Sequence, residues 1–99
     1  MGIAASEKHG WTFLSNHAHV MLFLSLEPEA RIRDIAAAVG LTERAVQRII
    51  GELSEDGVLA VEKLGRRNRY RINAKYHLRH PLESHRTVKD LLRLTHRAK

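Results

Sequence analysis

The 99-residue chain contains no cysteine, so neither a disulfide framework nor a thiolate zinc site is available to it. That fits a reducing compartment, and the cytoplasm is the expected location. Long apolar runs are missing too. The longest, Val20 to Leu24, falls far short of the ~20 residues that cross a bilayer, so no membrane partner is expected. Gly2 to Gly10 is short and polar, without the apolar centre of a signal peptide. Residues 1–10 therefore read as a flexible leader, with a helical turn around Ala4 to Lys8. No Gly-rich phosphate loop, nucleophile elbow or arrangement of paired carboxylates stands out. No catalytic residue and no cofactor is assigned, and an enzyme is the weakest class of function.

What the chain does have is an ordinary 43% hydrophobic share and an excess of positive charge, +6 with pI ≈ 10.3. The length suits one core and is too short for two. Residues 31–79 carry eleven Lys/Arg against six Asp/Glu, so nearly all of the excess sits in the middle of the chain. A polyanion such as nucleic acid is the natural partner for that distribution.

The stretch Arg31 to Leu53, RIRDIAAAVGLTERAVQRIIGEL, reads as two short helices about a tight turn. Ile32, Ile35, Ala36 and Val39 recur at helical spacing in the first, which is expected to start near Arg33. Gly40 stands where a helix ends in a left-handed residue, and Thr42 follows as the N-cap of the second helix. That helix buries Ala45, Val46, Ile49, Ile50 and Leu53, while Arg44, Gln47, Arg48 and Gly51 share its front. Long hydrogen-bonding side chains on such a front suit a major groove, where arginine grips guanine and glutamine grips adenine by two bonds each. Gly51 offers no contact of its own, which suits a scaffold, or else admits close approach of the backbone to DNA.

Upstream, Trp11, Phe13 and Leu14 are expected to anchor the domain. Ser15 or Asn16 caps a helix of roughly His17 to Leu26, apolar around much of its surface, which implies deep burial or a partner. Pro28 stops it, and Glu29 to Ile32 is expected to add a short strand. Downstream, Gly57 ends the second helix of the pair. Val58 to Lys63 alternates with Leu59 and Val61 on one side, Leu64-Gly65-Arg66-Arg67 turns, and Asn68 to Ile72 returns with Tyr70 and Ile72 inward, a β-hairpin. Arg66, Arg67, Arg69 and Arg71 repel each other unless something anionic lies nearby. Pro81 suits the first position of a last helix running to about Thr95, with Leu82, His85, Val88, Leu91, Leu92 and Thr95 as its stripe.

Residues 11–73 resemble a winged-helix DNA-binding domain of the MarR/ArsR-type transcriptional regulators. The resemblance lies in IRDIAAAVGLTERAVQRIIGELSEDGVLAVEKLGRRNRYRI and its L-x-x-x-G-V-L passage from Leu53 to Leu59. It implies an α+β, mainly α fold: a three-helix core, a hairpin wing and a C-terminal helix. The expected organisation is a leader (1–10), a DNA-binding domain (11–79) and a C-terminal dimerisation helix (80–99). Thr42, Glu43, Arg44, Gln47 and Arg48 are the DNA-contacting candidates of the recognition helix. Lys63, Arg66, Arg67, Arg69 and Arg71 are those of the wing, on the backbone or minor groove. In ArsR-like proteins the first and last helices form the dimer interface, which implies a homodimer held by Val20, Phe23, Leu82, His85, Val88, Leu91 and Leu92. The function implied is a sequence-specific regulator of transcription that binds double-stranded DNA. The alternative is a winged-helix interaction or scaffold module that binds no nucleic acid. No small-molecule effector is assigned.

Seven histidines raise a metal hypothesis. His17 and His19 lie two apart on a helix and diverge, and His77, His80 and His85 match no metal-ligand spacing. No metal site is assigned, and the imidazoles are expected to be hydrogen-bonded or solvent-facing.

Overall fold

A computed structural model describes residues 10–96, so the expected leader lies outside the described residues apart from Gly10. The architecture is mainly helical, a winged helix-turn-helix. In chain order it comprises α1 (Asn16–Leu26), α2 (Ile32–Val39), α3 (Glu43–Glu55), β1 (Leu59–Leu64), β2 (Arg67–Ile72) and α4 (Val88–Thr95). Ser15 caps α1, its hydroxyl accepting from the Ala18 amide. Gly40 ends α2 at φ 86°, a left-handed conformation closed to most L-residues, and both the Gly40 and Leu41 amides return to the Ala36 carbonyl. Thr42 then caps α3 by accepting from the Ala45 amide at 3.1 Å. After α3 the amides of Gly57 and Val58 bond back to the carbonyls of Ser54 and Leu53, which closes the helix as a Schellman turn.

Two apolar clusters hold these elements. Val20 and Leu24 of α1, Ile35 and Ala36 of α2, and Val46, Ile49 and Ile50 of α3 meet Leu59 and Tyr70 at the base of the hairpin. Met21 joins Val58 and Val88 in a second cluster, flanked by Leu22, Tyr76, Leu78, Leu91 and Leu92. Helix α1 lies between the two, which accounts for its broad apolar surface. Truncating such a buried aliphatic to Ala costs about 2–5 kcal/mol, against ~0–1 kcal/mol for an exposed ion pair. The core therefore fixes how α3 is presented.

The hairpin pairs Leu59 with Ile72, Val61 with Tyr70 and Leu64 with Arg67, leaving Gly65-Arg66 as a two-residue turn. Gly65 has φ 64° at the first central position, as type II′ turns require. Leu59 and Tyr70 are buried, but Val61, expected inward with Leu59, is 44% exposed because the hairpin runs out past the core.

Other expectations need correction. No strand forms over 29–32: Ile32 enters α2, and only the Pro28 carbonyl pairs with the sheet, accepting from the Tyr70 amide. Trp11 and Phe13 do not anchor the core. They pack edge to face at 4.9 Å, with Phe13 91% exposed. The last helix begins at Val88, not Pro81. Thr87 and Asp90 form a reciprocal capping box, whereas residues 79–86 fold into turns, closed where Leu78 and Arg86 bond and His77 bridges Thr87. Leu82 (84% exposed) and His85 thus lie outside the helix. Val20 and Val88, at 0% and 2% exposure, are enclosed by their own chain and have no surface for a partner. Leu91, Leu92 and Phe23 are half-buried against the clusters. The large apolar side chains left open include Trp11, Phe13, Leu26, Leu82 and Leu94.

Candidate nucleic-acid interface

The back of α3 carries Val46, Ile49 and Ile50 into the core, and helical geometry turns Arg44, Gln47, Arg48 and Gly51 outwards. All four are exposed, as are Thr42 and Glu43 at the start of the helix. Thr42 is engaged as the cap, and Glu43 sits in the first turn, where a negative charge suits the helix dipole. Gly51 has ordinary helical backbone, and a Cβ added there would meet no atom within 4 Å. Glycine inside a helix costs about 0.5–1 kcal/mol relative to alanine, so at this position it serves no packing need.

Arg48 is not isolated. Its guanidinium lies 3.4 Å from the Glu52 carboxylate one turn on, and that same carboxylate is held at 2.6 Å by Nε2 of His17 on α1. The hydrogen bond from His17, with lesser help from the charges of Arg48 and His17, keeps the Glu52 carboxyl below its ordinary range. Glu52 is not among the candidates that the sequence singles out. Its i, i+4 relation to Arg48 is visible there; the approach of His17, 35 residues away, is not.

The wing's cations divide between two faces. By register Arg67, Arg69 and Arg71 share one face with Ala60, Glu62 and Leu64, while Lys63 lies on the other face opposite Asn68. Arg66 sits at the exposed tip. Arg69 reaches to 3.9 Å from Glu29, and Arg67 lines a groove of ≈ 580 Å³ together with Glu27, Glu29, Asp34, Phe23, Pro28 and Ala30. The anionic company that four clustered arginines need is thus supplied in part by this chain. Among the described residues Arg44, Arg66 and Arg71 enter no ion pair within 4 Å.

Several histidines have hydrogen-bond partners: His17 with Glu52, His77 Nδ1 with the Ser84 carbonyl, and His80 Nδ1 accepting from the Leu82 amide. Among the described residues no three His, Asp or Glu side chains gather as a metal site. No helix among them is long and apolar enough to cross a membrane.

A comparison with curated proteins finds no significant match. Residues 19–60, from within α1 through α3 to the start of β1, do match the model of a family described as winged helix-turn-helix DNA-binding.

Proposed function

We propose that this chain is a sequence-specific regulator of transcription of the MarR/ArsR type, acting on double-stranded DNA as a homodimer in the cytoplasm and catalysing no reaction. Helix α3 enters the major groove, with Arg44, Gln47 and Arg48 reading base edges and Thr42 and Glu43 at its leading end. The wing lies along the backbone or minor groove, led by Arg66 at its tip, with Arg67, Arg71, Arg69 and Lys63 behind. The observation that carries this reading is the division of α3 into a fully buried aliphatic back and an exposed front of Arg44, Gln47 and Arg48. The local excess of positive charge supports a polyanion over a protein partner.

Homodimerisation draws on the apolar side chains that the protomer leaves uncovered, Leu82 and Leu94 first among them. A twofold dimer would read two half-sites about one DNA turn apart or a multiple of it. Selection of bound duplexes from a random pool, followed by sequencing, tests both points. A paired motif is the expected result. A single unpaired motif would remove the dimer, and recovery of no preferred sequence would favour the scaffold alternative.

A further inference from the structure

We infer that Gly51 is the point at which the backbone of α3 comes closest to bound DNA, its missing side chain setting how deeply the helix seats in the groove. The inference rests on the DNA-reading function proposed above. Every other described glycine has a positive φ, at Gly10, Gly40, Gly57 and Gly65, so the backbone there calls for it. Like them, Gly51 is exposed and has open space where a Cβ would be, but it alone sits inside a helix, where its backbone does not call for glycine. The fold is penalised by this residue and takes nothing from it, whether a turn, a bulge or room for a neighbour.

Its location supplies the reason. Gly51 lies three residues after Arg48, four after Gln47 and seven after Arg44, in line with all of them along the front of the helix. A methyl group there would stand between the helix axis and the groove surface and hold α3 outward by on the order of 1 Å. N–H···O bonds prefer about 2.7–3.2 Å, so a displacement of that size lengthens the bidentate contacts beyond their useful range. Phosphate attraction, which is long-ranged and carries no sequence information, would survive it. Substitution at Gly51 should therefore damage base reading more than general affinity.

The test compares wild type with Gly51→Ala, Gly51→Ser and Gly51→Leu, each titrated at fixed salt against the selected duplex and a random duplex, with thermal unfolding in parallel. Gly51→Ala is expected to raise Tm by roughly 2–8 °C while lowering affinity for the selected duplex about fivefold or more. Gly51→Leu should lower it further, and affinity for random duplex should change by less than about twofold. A Gly51→Ala protein that gains stability and still binds the selected duplex as wild type does would overturn this inference alone. So would one that loses stability, since the glycine would then be serving the fold. A wild type that binds no duplex at all would overturn the DNA-reading function and this inference with it.

Discussion

At the scale of single residues, the most informative neighbour of the candidate reading face is Glu52. It places a carboxylate beside Arg48, a guanidinium on the exposed front of α3, and His17 holds the same carboxylate through Oε1. A negative charge held there competes with DNA for Arg48 and repels the phosphates. Glu52→Gln should thus tighten duplex binding, about two- to fivefold at 0.1 M salt and less at higher salt. Unchanged or weaker binding in a titration would show that Glu52 positions Arg48 rather than restrains it. The same substitution has a pH signature in the free protein. Because the Glu52 carboxyl is held below its ordinary value in the fold, mainly by the hydrogen bond from His17, its stabilising effect is in place at neutral pH. That effect is lost as pH falls through the lowered pKa. Wild type should melt above Glu52→Gln near neutrality, and the two should converge in acid. Asp90, lowered by the Thr87 amide in the capping box of α4, follows the same sign and weakens that helix at low pH.

At the scale of elements, α3 and the wing are assigned different work, and their variants should separate it. Arg44→Ala or Gln47→Ala should relax base preference by ~1–3 kcal/mol per bidentate pair removed. Arg66→Ala combined with Arg67→Ala should weaken binding to all sequences and flatten the salt dependence by roughly 0.9 for each phosphate the wing no longer neutralises. Arg69→Ala should do less, because that side chain already leans on Glu29. Titrations on selected and random duplex at several salt concentrations distinguish the two patterns, and identical behaviour of both sets would refute the division of roles. The α2–turn–α3 unit is legible in the sequence because its signals are local: Gly40 for the left-handed stop, Thr42 for the cap, and a 3.6-residue apolar period on either side of them. The front of α3 is legible for the same reason. The start of α4 is not, because Leu82 and His85 happen to continue the spacing of Val88 and Leu91 and so mask the Thr87-x-x-Asp90 box that begins the helix. Val61 shows a different limit: alternation tells which face a residue is on, not how far the core extends beneath it. The acidic surroundings of the wing, from Glu27, Glu29 and Asp34, depend on how α1, α2 and β2 pack and have no sequence signature.

At the scale of the whole molecule, the binding reaction is governed by net charge and by where that charge sits. The formal charge of +6 would rise to +13 if all seven histidines were protonated, and histidine is the side-chain type that ordinarily gains its charge between neutral and mildly acidic pH. Glu52 and Asp90 stay ionised across this window, since both lie below the ordinary carboxylate range. The direction is therefore fixed: affinity for duplex DNA should increase as pH falls at constant salt. The histidines should not contribute equally. The molecule spans 38 × 32 × 29 Å, while at 0.1 M salt exposed charges are screened over about 10 Å. A histidine on a remote loop adds little at the groove. His17 differs, because its ring touches the carboxylate that pairs with Arg48. Once protonated it offsets Glu52 directly and leaves Arg48 freer for the duplex. His17→Gln should consequently remove more of the pH response than His85→Gln, and the whole response should shrink as salt is raised. Binding isotherms at about pH 5.5 and 7.5 for the three proteins decide the matter. Equal affinity at the two pH values in wild type would refute the charge argument, and a full response surviving in His17→Gln would show that the added charge acts from elsewhere on the surface.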